Sequence, residues 1–204
     1  MKHCSAEMEK SHRLSLVPMP KAGEPSALEA RSDDELMLLA RGGLERAFSV
    51  LIERHQARAL RVALRYLGRE SLAAEVAQDA FVEIFRALPQ YQAHGKFPGY
   101  LYRVLLNHCH MTWRRLRAER KAMLFAAEDV QEGDEAELLL RERRRDLHAA
   151  LGEISEKLRS VVLLRYSAGL SYEEIAETLD VPTGTVKRRL FDAMAKLRET
   201  LEGS

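Results

Sequence analysis

Between residues 96 and 117 the chain carries Lys96, Tyr100, Arg103, Asn107, His110, Trp113, Arg114 and Arg117, spaced mostly three and four apart. At about 100° per residue, Tyr100, Arg103, Asn107, His110, Arg114 and Arg117 fall within one arc of about 100° on a helix. Tyr102, Leu106 and Trp113 run along its edge. Such a stripe suits a single nucleic-acid strand: rings stack on unstacked bases, an amide reads a base edge, and cations take the phosphates. A solvated face, with Trp113 and the tyrosines half buried in a core, is the alternative. Metal chemistry is a poorer fit. His108, Cys109 and His110 are consecutive, so on a helix they point about 100° apart and cannot converge on one ion. His3, Cys4 and His12 match no familiar ligand spacing. No metal, no cofactor and no enzymatic chemistry is expected.

A second constellation lies at residues 171–198, SYEEIAETLDVPTGTVKRRLFDAMAKLR. Ser171 and Glu174 form a capping box ahead of Ile175, Ala176 and Leu179. Asp180-Val181-Pro182 ends that helix, because the residue before a proline is pushed out of the helical region. Thr183 or Thr185 is placed to cap the next helix. There Val186, Leu190, Ala193, Leu197 and Leu201 share a narrow apolar arc that Met194 borders. Lys187, Arg188, Phe191 and Asp192 lie opposite, with Arg189, Lys196 and Arg198 on the flanks. Two short helices around a tight turn, the second of them basic, predict a helix-turn-helix that enters a DNA groove.

These two faces need scaffolds, and the apolar periodicity supplies them. Ser32 and Glu35 make a second capping box before Leu36, Leu39 and Ala40, and Gly42-Gly43 closes that helix. A longer helix is predicted from about Leu44 to Leu67, with Phe48, Leu51, Ile52, His55, Ala59, Val62, Ala63 and Tyr66 inward and Gly68 as its stop. Another runs from about Leu72 to Leu88 up to Pro89, its apolar arc holding Val76, Ala80, Phe81, Ile84, Phe85 and Leu88. Its other side shows Glu75, Gln78, Asp79, Val82 and Arg86, where Val82 is either incidental or the centre of a partner contact. The stripe itself needs a helix from Gly99 to about Lys121, with Pro98 at its first position. From Asp146 onward Leu147, Leu151, Ile154, Leu158, Val161, Val162 and Leu164 build a core for the final helix pair.

The expected fold is all-α: a helical domain at 32–121 and a helix-turn-helix domain at 146–204. A flexible extension, 1–31, precedes them and a linker, 122–145, joins them. A formal net charge of +1 hides segregation. Residues 96–121 hold seven Lys/Arg against Glu119, residues 183–198 hold five against Asp192, and residues 128–137 hold six acids and no base. Two separate basic patches suggest two contacts with one polyanion. With two cysteines and no long apolar run, the expectation is a reducing cytoplasm and no membrane insertion.

Taken together, three motifs resemble the extracytoplasmic-function (ECF, group 4) sigma factors of bacterial RNA polymerase, over about residues 32–201. Ala74-Glu-Val-Ala-Gln-Asp-Ala-Phe81 resembles region 2.2, which docks on the β′ clamp helices. Phe97-Pro-Gly-Tyr-Leu-Tyr-Arg103 through Asn107 to Arg114-Arg115 resembles regions 2.3 and 2.4, which capture the melted -10 element. Gly169-Leu-Ser-Tyr-Glu-Glu-Ile-Ala176 through Val181-Pro-Thr-Gly-Thr-Val-Lys187 and Arg189-Leu190 resembles region 4, which reads the -35 element and meets the β flap. The resemblance implies core polymerase contacts at Gln78, Asp79, Val82 and Glu83. It implies a specificity loop for a flipped base at Tyr91–Lys96, with His94 and Lys96, and a strand face at Tyr100, Arg103, Asn107, Trp113, Arg114 and Arg117. It implies that Lys187, Arg188 and Phe191 face the -35 duplex while Thr185 and Arg189 hold phosphates, with Thr183 also in the -35 contact. An anti-sigma partner is implied as well. Tyr100 stands where the family usually has Trp, and Asp192 where a base is frequent. Rival readings are a helix-turn-helix response regulator with an α/β receiver domain, a scaffold that binds only polypeptides, and a metal-dependent enzyme.

Overall fold

The structure is a computed structural model and describes residues 28–93, 96–122 and 146–202. His94, nearly all of the extension and nearly all of the linker lie outside the described residues. Every regular element among those described is helical.

Helix α1, Asp33–Arg41, opens on the expected capping box. Ser32 Oγ accepts from the Glu35 N–H at 3.3 Å, and the Glu35 carboxylate accepts from the Ser32 N–H at 2.9 Å. That backbone hydrogen bond, with further ones from the Ser32 hydroxyl and Arg31, holds the Glu35 carboxyl below the usual carboxylate range. Gly43, at φ +98°, turns the chain into α2, Glu45–Leu67, and Gly68, at φ +74°, ends α2 in the left-handed region. Helix α3 spans Glu70–Arg86 and yields to a 3-10 turn, Leu88–Gln90, around Pro89. Helix α4, Phe97–Ala122, follows.

Residues 28–31 differ from the expected flexible extension. Leu28 is buried, and Arg54 donates to the carbonyls of Glu29 and Arg31 at 3.0 and 3.1 Å while also pairing with Asp33. Burial alone would raise the Asp33 carboxyl. The hydrogen bond from His55, at 2.8 Å, and the charge of Arg54 outweigh burial and hold it below its ordinary value. His55 therefore lies on the apolar side of α2 with a carboxylate partner, which is how a core tolerates a polar ring.

The C-terminal unit comprises α5 (146–153), α6 (Glu156–Tyr166), α7 (Tyr172–Leu179) and α8 (Thr183–Glu202). Ser171 caps α7 with the predicted box, and Asp180 at φ +52° makes the turn. Neither Thr183 nor Thr185 takes the capping position before α8. Helix α8 begins at Thr183, and the carbonyl of Pro182 accepts from the N–H groups of Thr185 and Val186. Val186, Leu190, Ala193 and Leu197 are buried as predicted, whereas Leu201 and Leu147 stay exposed. Phe85 is likewise 46% exposed and meets Phe48 only edge-on, with ring centroids 5.1 Å apart. Helix α6 lacks a polar side: Leu158 through Leu164 are all buried, Arg159 included. A helix buried all round must be covered on two sides. One cover is α7 and α8; the other is α2 and α4 of the N-terminal unit.

Candidate nucleic-acid interface

On α8 the outward side is open. Lys187 and Arg188 are exposed, Phe191 is 76% exposed, and Asp192 stands beside them. A large ring left in water next to two cations is costly on an isolated domain and useful against thymine methyls in a major groove. Thr183, Thr185 and Arg189 are half-buried around this face, close to the helix N-terminus, where phosphates bind well. Tyr172 braces the entry: Lys187 Nζ lies 5.7 Å from its ring centroid and the Arg165 guanidinium 5.0 Å.

Helix α4 presents the predicted stripe, and the C-terminal unit engages part of it. Leu101, Val104, Leu105 and Cys109 are buried on the inner side, as are the edge residues Tyr102 and Leu106. Burial pushes the Cys109 thiol up to about 12 and the Tyr102 hydroxyl up to about 12, so both stay neutral. On the outer side Arg103, Asn107, Arg114 and Arg117 are exposed. Arg103 donates to the carbonyls of Thr178 at 3.0 Å and Glu177 at 2.8 Å, and Lys96 pairs with Glu177 at 3.0 Å. Arg114 grips both oxygens of Glu156 at 3.0 and 2.8 Å. That bond pulls the Glu156 carboxyl below its ordinary value. His110 Nε2 is 3.2 Å from Ser160 Oγ, and burial lowers its imidazole.

Trp113 is half-buried. Arg159 lies 4.3 Å from its ring centroid and 4.8 Å from that of Tyr66, while His148 meets Trp113 edge-on. Trp113 is thus buried from two sides, by Tyr66 of its own unit, whose ring meets it edge-on at 6.3 Å, and by Arg159 and His148 of the C-terminal unit. Glu156, Arg159, Glu177 and Thr178 belong to this constellation, and sequence periodicity did not single them out. A cleft of about 450 Å³ remains at the seam, lined by Tyr91, Lys96, Gly99, Tyr100, Arg103 and Glu177 among others. Its floor is fixed from α1, since the Tyr91 hydroxyl donates to Asp34 at 2.8 Å and Arg41 donates to the Tyr91 carbonyl at 2.8 Å. The charge and bond of Asp34, added to burial, keep the Tyr91 phenol protonated.

A third surface lies on α3. Gln78, Asp79, Val82 and Glu83 are all exposed on one side, and Val82 adjoins the half-exposed Phe85. His108 of α4 reaches Glu83 at 2.7 Å. Cys109 points into the core and His110 toward Ser160, so the three consecutive side chains diverge as their helical spacing requires.

Comparison with known proteins fits this arrangement. Residues 51–119 match the family Sigma-70 region 2, and residues 144–197 match Sigma-70, region 4. The chain is 31% identical to the RNA polymerase sigma-H factor of Pseudomonas aeruginosa, over 86% of this chain and 96% of that one. It is 30% identical to the ECF RNA polymerase sigma-E factor of Escherichia coli K12, over 81% and 92% of the two chains. Among solved structures, CnrH in complex with the cytosolic domain of CnrY superposes with a TM-score of 0.68 at 26% identity, covering 85% of this chain and 99% of that one. Helices alone fill the described part of residues 28–122, which leaves no α/β receiver there. The order of the two regions, their extent and the relatives' identity together place the chain in the extracytoplasmic-function sigma factors, which direct promoter-specific transcription initiation by RNA polymerase.

Proposed function

We propose a division of labour among three surfaces of this sigma factor. The domain at 32–121 binds core polymerase through Gln78, Asp79, Val82 and Glu83 against the β′ clamp helices. It captures the melted -10 strand with His94, Lys96, Tyr100, Arg103, Asn107, Trp113, Arg114 and Arg117. The domain at 146–204 reads the -35 duplex with Lys187, Arg188 and Phe191, takes phosphates with Thr183, Thr185 and Arg189, and meets the β flap. Melting is driven by binding of extruded bases, each stack contributing roughly 1 to 3 kcal/mol. The factor needs no catalytic chemistry of its own and works in the cytoplasm; no helix among the described residues is long and apolar enough to cross a membrane. An anti-sigma factor is a further partner, supported by the relative CnrH, whose structure holds the cytosolic domain of CnrY.

The observation that carries this reading is the lone aliphatic Val82, 38% exposed among the polar groups of α3. Val82→Asp places a charge at the centre of that contact without touching a core position. Core polymerase binding should fall at least about tenfold while duplex binding by the C-terminal domain stays unchanged. Unaltered core binding would refute the assignment of α3.

A further inference from the structure

Four of the residues assigned to the -10 strand, Lys96, Arg103, Trp113 and Arg114, are held by the chain's own C-terminal domain. Each meets there the chemistry that a strand would offer. Glu156 gives Arg114 two parallel oxygens, as a phosphate does, and the Glu177 carboxylate faces Lys96. Arg103 takes the carbonyls of Glu177 and Thr178, at the negative end of α7. The planar guanidinium of Arg159 lies over Trp113 at 4.3 Å, where a base would stack. The approach is close: a Cβ on Gly99 would be 3.1 Å from Thr178 Oγ1.

We propose that the start of α6 and the end of α7 form an intramolecular mimic of a single DNA strand, which occupies the strand-binding face until the promoter strand displaces it. The proposal rests on the assignment of that face to the melted strand. Occupancy by the two ligands is mutually exclusive, because the same guanidinium atoms and the same indole face serve both. Geometry adds a second reason. The -35 and -10 elements lie about 25 base pairs apart, about 85 Å at 3.4 Å per pair, so both cannot be read while α7 touches α4. Residues 123–145 can reach about 80 Å when fully extended, enough for the domains to part. Gln78, Asp79 and Val82 on α3 and Lys187, Arg188 and Phe191 on α8 remain exposed in the closed arrangement. Polymerase docking and duplex reading therefore need no opening, whereas strand capture does.

The test is a reversible lock. In the full chain carrying Cys4→Ser, the pair Gly99→Cys and Thr178→Cys sets two thiols within disulfide reach, a Cβ at 99 lying 4.0 Å from the Thr178 Cα. Cys109 is buried with its thiol pushed up to about 12 and takes no part. The bond should form in the free chain under mild oxidation, and excess oligothymidine should slow it. The oxidised chain should bind fluorescent oligothymidine at least about tenfold more weakly than the same chain reduced, the equivalent of one lost base stack, with core polymerase binding unchanged. As a second arm, Glu156→Gln with Glu177→Gln should bind the oligonucleotide several-fold more tightly. That gain should exceed any from Glu199→Gln with Glu202→Gln, the same charge change away from the interface. A bond that does not form, an oxidised chain that binds as well as the reduced one, or no gain in the second arm overturns the proposal. If wild-type and reduced chains both fail to bind the strand, the strand-face assignment itself is refuted and the mimic falls with it.

Discussion

Replacing Arg159 by methionine removes a cation from the most enclosed polar position of the domain seam while keeping a side chain of similar length. Arg159 is 1% exposed; Nη2 donates to the Gly152 carbonyl at 3.0 Å and the Ile154 carbonyl at 3.4 Å, and its Cζ lies over the Trp113 and Tyr66 rings. Each desolvated cation–π contact contributes about 1 to 2 kcal/mol, and the shorter of the charged hydrogen bonds about 1.5. Against these, Nε and Nη1 find no hydrogen-bond partner, and burial lowers the guanidinium's affinity for its proton. The cost of burying an incompletely paired cation is several kcal/mol and cancels most of the gain. Arg159→Met should therefore destabilise by only about 1 to 2 kcal/mol, whereas Arg159→Ala, which also leaves a void beside the two rings, should cost about 3 to 4. For a chain of this size those figures correspond to Tm losses of about 3 to 6 °C and 8 to 12 °C. Trp113 is the sole tryptophan, so its fluorescence reports the seam directly. In both variants its emission should shift to the red and acrylamide quenching should rise. Wild-type emission in both, or equal stability losses in both, would refute the stacking argument.

On the duplex side, Arg188→Ala should weaken binding to -35 duplexes by about 1 to 3 kcal/mol and leave core binding intact in a polymerase pull-down. Ser171→Ala breaks the capping box of α7 and should cost about 1 kcal/mol in urea denaturation, with Ser171→Gly recovering most of it. Asp33→Asn bears on pH. The folded carboxyl titrates below its unfolded value of 3.8, so its stabilisation is complete above that value and is lost as pH falls through the folded one. Wild type should lose stability over that acid range, and Asp33→Asn, less stable at neutral pH, should lose less there in a pH series of thermal melts.

Local signals in the chain were readable and distant ones were not. The boxes at Ser32–Glu35 and Ser171–Glu174 form as expected because both partners lie within one turn. Gly68 and Pro89 stop their helices because φ and ring geometry act on a single residue. The stripe on α4 was visible as a direction, yet periodicity says which residues share a side and not what covers it. Glu156 is 42 residues from Arg114, and Thr178 is 75 from Arg103, so nothing in either neighbourhood points to the other. The one available signal was α6 itself, whose buried run from Leu158 to Leu164 has no polar side and therefore required a second cover. Arg159 within that run is the residue whose role only the folded contacts disclose.

Whether this chain redirects RNA polymerase is decided by mapping transcription start sites. Purified chain, core polymerase and genomic DNA are combined for transcription in vitro, and 5′ ends are compared with those from core alone. New starts should appear that require the chain and that share one -35 and one -10 element at a fixed separation. Absence of any factor-dependent start would contradict that role.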